Sequence, residues 1–135
     1  GINIGLGVDG SASNDSGNLA LEARQAMLMQ RVSQGANAMS SREALELATR
    51  GGADILGRPE CGRLAVGKRA DIAIWDVSGL ESAGSWDPAA ILLAGPNKVK
   101  HLIVDGKLIV EDGQLLTTDL AKLISLQNKL AKALS

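Results

Sequence analysis

Residues 2–17 read INIGLGVDGSASNDSG, and this stretch decides the fold assignment. From Ile2 to Val8, apolar side chains alternate with Asn or Gly, which predicts a short buried strand with small residues where space is tight. A polar loop rich in Gly and Ser follows from Asp9 to Gly17. A strand that passes directly into such a loop and then into a helix is typical of an α/β unit.

The first residue of the chain already lies at the start of this predicted strand, and there is no initiator Met. A buried strand needs neighbours, and the downstream sequence offers no parallel strands close by. We therefore expect the chain to be a C-terminal fragment of a larger protein that supplies the missing strands.

Two helical segments are expected after the loop. An apolar stripe predicts a helix over about Asn18 to Val32. Ser40 and Glu43 have the spacing of a capping box, in which each side chain satisfies a backbone N–H of the other, so a second helix begins there. Gly51-Gly52 weakens that helix, and a final helical stretch, Ala53 to Leu56, follows.

The pattern becomes mostly β after about residue 58. A strand is expected over Ile72 to Val77, and Asp87-Pro88 is typical of a helix cap followed by the first helical residue. Two strands, Val99 to Val104 and Lys107 to Val110, flank Asp105-Gly106, which is a strong hairpin signal.

The C-terminal residues have a helical apolar pattern, and we expect that helix to pack on one of the preceding parts. The members of this stripe are Leu120, Leu123, Ile124, Gln127, Leu130 and Leu134. Three regions follow from these patterns. Residues 1–57 form the end of an α/β domain, residues 58–113 form a small β module, and residues 114–135 form a C-terminal helix.

Composition excludes several classes of protein. The chain has 135 residues, of which 45% are hydrophobic and 21% charged, so it can bury a core. A net charge of -1 gives no reason to expect nucleic acid or an anionic membrane as partner. Cys61 is the single cysteine, which excludes an internal disulfide framework and fits the cytoplasm. No apolar run approaches the roughly 20 residues of a membrane span.

Asp9 is the leading candidate for chemistry because it directly follows the predicted strand. In α/β barrels the catalytic groups project from the C-terminal ends of strands, where loops vary while the barrel stays rigid. A carboxylate at such a position can bind a metal or accept a proton. The alternative is that Asp9 caps a turn or a helix.

Several motifs, in this order along the chain, resemble the C-terminal part of the amidohydrolase superfamily. Gly5 to Asn14 is similar to the eighth barrel strand and its loop in the branch of cytosine, 8-oxoguanine and hydroxytriazine deaminases. Ser41 to Thr49 resembles the helix that follows. Gly62 to Ile72 resembles the entry into the small β-sandwich domain, and Val104 to Gly113 resembles its closing hairpin. The resemblance covers essentially the whole chain.

This resemblance implies a metal-dependent (β/α)8 barrel with part of a small β-sandwich domain. It also implies that Asp9 binds one divalent metal, with zinc favoured and iron the alternative, and relays a proton from metal-activated water. The other ligands of such a site are mainly histidines. The chain contains only His101, in a predicted strand of the β module, where we expect a structural role. This chain alone is therefore expected to be inactive.

The remaining candidates have weaker signals. Ser11 and Asn14 are predicted to reach substrate from the loop, with helix capping as the alternative. Glu22 and Arg24 are expected on a solvated helix face or in a salt bridge. The last two are Cys61, which has no nearby histidine to activate it, and Trp86, which is expected to anchor a loop.

The predicted function is therefore hydrolytic deamination of an aromatic nitrogen heterocycle, an 8-oxoguanine or cytosine-like base, by the complete enzyme. A triazine amidohydrolase or chlorohydrolase is the alternative within the superfamily. From another class, the chain would be a non-catalytic scaffold or interaction module. The expected partners are the missing barrel portion or an oligomeric partner and a small heterocyclic substrate, with no nucleic acid and no membrane.

Overall fold

The computed structural model describes residues 1–10, 13–14, 16–95 and 97–134. These residues form two compact units. The first contains residues 1–69 and 77–97, and the second contains residues 70–76 and 98–134. The boundaries at residues 57 and 113 inferred from the sequence stay predictions.

Helix α1, Leu19–Gln34, begins where the sequence predicted it. The Asn18 side chain accepts hydrogen bonds from the backbone N–H groups of Ala20 and Leu21, so two otherwise unpaired donors of the first turn are satisfied. Gly35 has a φ of 103°, and its N–H donates to the Arg31 carbonyl. The helix ends there because this backbone conformation is not helical, and glycine is the residue that adopts it most easily.

The second helical segment is continuous rather than interrupted. Helix α2, Ser41–Glu46, opens with the predicted capping box between Ser40 and Glu43. It passes through a π-helical turn, Leu47–Gly51, into helix α3, Gly52–Ile55. A Cβ at Gly51 would collide with the carbonyl oxygen of Ile4, so this glycine permits close backbone approach rather than ending the helix.

The core of the first unit lies among α1, α2 and helix α4, Pro88–Ala94. Its buried members are Ala23, Met27, Ala44 and Leu93, with Leu6, Met39, Leu45 and Ala48 packed against them. Helix α4 has the predicted cap, since the Asp87 side chain accepts from the Ala89 N–H and Pro88 opens the helix. These small and aliphatic side chains allow the three helices to approach closely.

The predicted strand over residues 2–8 is not formed among the described residues. Ile2 is 91% exposed and Ile4 is 58% exposed, so neither side chain is buried as expected. The segment is held by the Leu6 N–H, which donates to the Leu47 carbonyl over 3.2 Å. A strand requires a partner for its backbone groups, and the first unit, as far as it is described, provides no strand beside this segment.

The second unit is a four-stranded antiparallel sheet in the order β1-β2-β3-β4. Its strands are β1 Ile72–Asp76, β2 Lys98–Val104, β3 Lys107–Glu111 and β4 Gln114–Leu115. The predicted hairpin is confirmed, because Asp105 and Gly106 connect β2 to β3 with φ values of 50° and 77°. Two successive positive φ values match the right-handed twist of the flanking strands.

Helix α5, Leu120–Leu134, is present but is not packed as expected. All of its described residues are exposed, including the apolar stripe, so the expected packing on a preceding part is wrong for the described chain. None of the helices in the described residues combines the length and apolar character needed to cross a membrane.

Candidate active site at Asp9

Asp9 ends the segment that Leu6 attaches to the first unit. Its backbone lies in the left-handed region, with a φ of 57°. Few residues other than glycine adopt this conformation, but Asp is among those that tolerate it. The turn projects the Asp9 side chain to the surface, where it is exposed.

The Asp9 carboxylate accepts two local hydrogen bonds. The Ser13 hydroxyl donates to Oδ2 over 2.6 Å. This bond is the main reason that the pKa of Asp9 lies below its ordinary value, and a second bond from the Gly10 N–H lowers the pKa further. Hydrogen bonds to the ionised form stabilise it, so the carboxylate stays ionised to a lower pH than that of an ordinary Asp.

Asn14 closes the loop from the other side. Its Nδ2 donates to the Val8 carbonyl over 2.8 Å and to Glu22 Oε1 over 2.7 Å. Its Oδ1 accepts from the Ser16 N–H over 3.1 Å. The predicted substrate contact of Asn14 stays a prediction, and the structure shows an amide already engaged in three hydrogen bonds. Ser11, the other predicted substrate residue, lies outside the described residues.

A divalent metal fits the donor chemistry of Asp9 but needs more ligands than the described chain assembles. An ionised carboxylate is an ordinary ligand for Zn²⁺. Among the described residues, however, there is no group of three or more His, Cys, Asp or Glu side chains that could hold a metal ion. Asp9 can therefore be one ligand of a site that is completed by other residues.

His101 lies on β2, in the second unit, and contacts the turn after β3. Its Nδ1 accepts from the Asp112 N–H over 3.4 Å, and its Nε2 lies 3.6 Å from Asp112 Oδ1. These contacts attach the side chain to the turn between β3 and β4, which agrees with the expected structural role.

The four weaker candidates are held in different ways, and only Trp86 clearly differs from its sequence-based interpretation. Arg24 is half-buried, and its Nη1 donates to the Leu93 carbonyl over 2.9 Å rather than to a carboxylate. Glu22 accepts a hydrogen bond from Asn14, which lies eight positions earlier. Neither the helical nor the strand repeat predicts a contact at that spacing. Trp86 is 95% exposed and does not anchor its loop. Cys61 is partly buried and does not form a disulfide.

The sequence matches the model of the Amidohydrolase family over residues 1–109. The chain belongs to that family. It is 47% identical to the 8-oxoguanine deaminase of Pseudomonas aeruginosa over 99% of its own length and 30% of that protein. The chain therefore spans less than a third of the length of this curated relative.

Solved structures of zinc-containing amidohydrolases have the same fold. An atrazine chlorohydrolase from Arthrobacter aurescens complexed with zinc superposes with a TM-score of 0.87 at 37% identity, over 96% of this chain and 30% of the other. An adenosine deaminase from Xanthomonas campestris with bound zinc superposes with a TM-score of 0.89 at 29% identity, over 98% of this chain and 31% of that one. The predicted fold class is confirmed: this amidohydrolase chain corresponds to part of a (β/α)8 barrel and its small β domain.

Proposed function

We propose that the complete protein carrying this amidohydrolase chain deaminates an aromatic nitrogen heterocycle, with 8-oxoguanine or a cytosine-like base as substrate. The observation that carries the proposal is 47% identity to an 8-oxoguanine deaminase along nearly all of this chain. The candidate active-site loop, Asp9 to Asn14, lies within the residues that match the Amidohydrolase family.

In this proposal Asp9 is a metal ligand and a proton carrier. A divalent metal, zinc by analogy with the zinc-containing relatives, would supply water with a lowered pKa as the nucleophile. The Asp9 carboxylate is ionised at neutral pH, as an ordinary Asp is, and would be able to accept the proton of that water. The same carboxyl group then returns the proton toward the departing ammonia.

The chain by itself supplies one ligand, so we expect it to be inactive without the remaining ligands and acid-base groups. These would come from the rest of the barrel or from an oligomeric partner. The proposed substrate is a small heterocycle, and a net charge of -1 gives no reason to propose nucleic acid or a membrane as a partner. A cytoplasmic location is proposed because the single cysteine excludes an internal disulfide framework.

Triazine hydrolysis is the second candidate, because the zinc-bound atrazine chlorohydrolase is 37% identical over 96% of this chain. Both activities use the same kind of nucleophile and differ in the leaving group, which is ammonia in one case and chloride or an amine in the other. Ammonia release from 8-oxoguanine and cytosine, measured beside chloride release from a chlorotriazine, separates these two activities.

The test of the proposal is the isosteric change Asp9→Asn in the complete protein. Loss of the carboxylate should lower turnover by at least about 100-fold, since a positioned acid or base contributes about that much or more. Asp87→Asn is the matched control, because Asp87 caps α4 and Asn is an equally good cap. Full turnover in Asp9→Asn would overturn the role of Asp9. Absence of both metal and hydrolytic activity in the complete protein would favour the non-catalytic scaffold.

A further inference from the structure

We infer that Asn14, held by Glu22, is a positioning residue that fixes the backbone of Asp9 in the conformation that aims its carboxylate. This inference rests on the proposed role of Asp9 as metal ligand and proton carrier. The observation is that one side-chain amide connects the residue before Asp9 to the first turns of α1.

The first link is the bond from Asn14 Nδ2 to the Val8 carbonyl, at 2.8 Å. This carbonyl belongs to the peptide plane that ends at the Asp9 nitrogen, and φ of Asp9 is the rotation that follows that plane. Fixing the plane therefore fixes one side of a residue whose φ is 57°. Asp tolerates the left-handed conformation better than most residues with a Cβ, and the bond from Asn14 to the Val8 carbonyl adds support for it.

The second link is the bond from the same nitrogen to Glu22 Oε1, at 2.7 Å. Glu22 lies on α1, which is anchored in the core through Ala23 and Met27. An amide nitrogen has two hydrogens, and both are used here on oxygen acceptors. The bond to the carboxylate is charge-assisted, so it holds the Asn14 amide in the one orientation that also reaches Val8.

The third link closes the loop after Asp9. The Gly10 carbonyl accepts from the N–H groups of Ser13 and Asn14, at 3.0 and 2.9 Å. The Ser13 hydroxyl then reaches the Asp9 carboxylate. Asp9 is thus fixed at both backbone neighbours and at its carboxylate, and Asn14 connects this small loop to the helical core.

A matched control distinguishes positioning from simple stabilisation. Asn97 is also partly buried in the first unit and makes the same number of side-chain hydrogen bonds. Its Nδ2 donates to the carbonyls of Ile91 and Leu92 at the end of α4, and its Oδ1 accepts from Ser82. Asn97→Ala therefore removes equivalent bonds without touching the Asp9 loop.

The experiment measures the Kd for zinc by chelator competition, kcat and KM, and the Tm of the metal-free protein, using the complete protein. Asn14→Ala should raise the zinc Kd about tenfold or more, the usual effect of removing a group that orients a ligand, and should lower kcat more than it changes KM. Asn97→Ala should lower the Tm without this change in zinc Kd. Equal zinc Kd values for the two variants would overturn the inference.

A second pair of variants keeps the test decisive if Asn14→Ala fails to fold. Glu22→Gln retains an oxygen acceptor for the Asn14 amide, whereas Glu22→Lys places a donor there and turns the amide away from Val8. The zinc Kd of Glu22→Lys should exceed that of Glu22→Gln about tenfold, and equal values would contradict the inference.

Asp9→Asn separates the two proposals. If it leaves zinc binding unchanged, the proposed role of Asp9 fails, and the positioning role of Asn14 fails with it. If Asp9→Asn weakens zinc binding and Asn14→Ala does not, only the positioning role of Asn14 is overturned.

Discussion

The Ser13 hydroxyl and the Asp9 carboxylate are joined by a hydrogen bond of 2.6 Å across a single turn of the loop. The donor lies four residues after the acceptor, and the Ser13 N–H bonds back to the Gly10 carbonyl. The contact therefore depends on the loop conformation, and it lowers the pKa of the residue to which we assign the chemistry.

Ser13→Ala should raise the pKa of Asp9 toward its ordinary value of 3.8, because the Ser13 bond is the largest cause of the lowered pKa. Because the pKa of Asp9 is lower in the folded than in the unfolded protein, Asp9 stabilises the fold at pH values above its unfolded pKa. This stabilisation is lost as the pH falls through the folded pKa. The variant should therefore be less stable than the wild type above about pH 4 and equal to it in stronger acid.

The measurements are an NMR titration of the Asp9 carboxyl carbon in the metal-free protein and unfolding at several pH values. Ser33→Ala is the control, since the Ser33 hydroxyl donates to the Gln30 carbonyl in α1, away from the Asp9 loop. An unchanged Asp9 titration in Ser13→Ala would show that the hydroxyl does not stabilise the carboxylate in solution.

Ser40→Ala should lower the free energy of unfolding by about 1 kcal/mol, the usual cost of losing an N-cap side chain. The pKa of Glu43 should rise at the same time. The Ser40 backbone N–H is the main cause of its lowered value and the Ser40 hydroxyl is the second. Ser40→Asn keeps a cap and should be close to wild type in denaturant unfolding; equal destabilisation by both changes would argue against capping as the cause.

Gly51→Ala and Gly52→Ala should have opposite effects although the residues are adjacent. A Cβ at Gly51 meets the Ile4 carbonyl oxygen, so overpacking should destabilise the protein by about 1–3 kcal/mol. A Cβ at Gly52 meets nothing within 4 Å, so the better helix former should stabilise it by up to about 1 kcal/mol. Thermal unfolding of the two variants checks the difference in sign, and the same sign for both would mean that residues 4–5 do not lie against this helix.

Gly106→Ala should destabilise the β2–β3 hairpin by about 1 kcal/mol, because Gly106 has a φ of 77° and a Cβ is strained there. Asp105→Asn is the control, since Asn tolerates the φ of 50° at that position. Amide hydrogen exchange of Val104 and Lys107 should be faster in the alanine variant only. Unchanged exchange would indicate that the turn conformation differs in solution.

Most of the local structure was predictable because it depends on neighbours in sequence. The Ser40–Glu43 capping box, the Asp87-Pro88 helix start and the Asp105-Gly106 turn all join residues within a few positions. The predicted strand from Ile2 to Val8 is not formed among the described residues, since its pairing depends on neighbouring strands that these residues do not include. The exposure of Trp86 was missed for a related reason, because a single aromatic residue in a loop has no periodic pattern to show which way it faces.

For the candidate site, the sequence by itself made Asp9 a candidate, since an acidic residue that ends an apolar segment and begins a Gly- and Ser-rich loop is visible as a pattern, and the resemblance to the amidohydrolase superfamily favoured a metal ligand over a cap. Only the tertiary structure connected Asp9 to its support. The Asn14 amide reaches Val8 and Glu22 at once, at 2.8 and 2.7 Å, because the loop folds back onto α1. A hydrogen bond between residues in a loop and on a helix depends on where the backbone turns, and side-chain type and spacing alone do not determine that path.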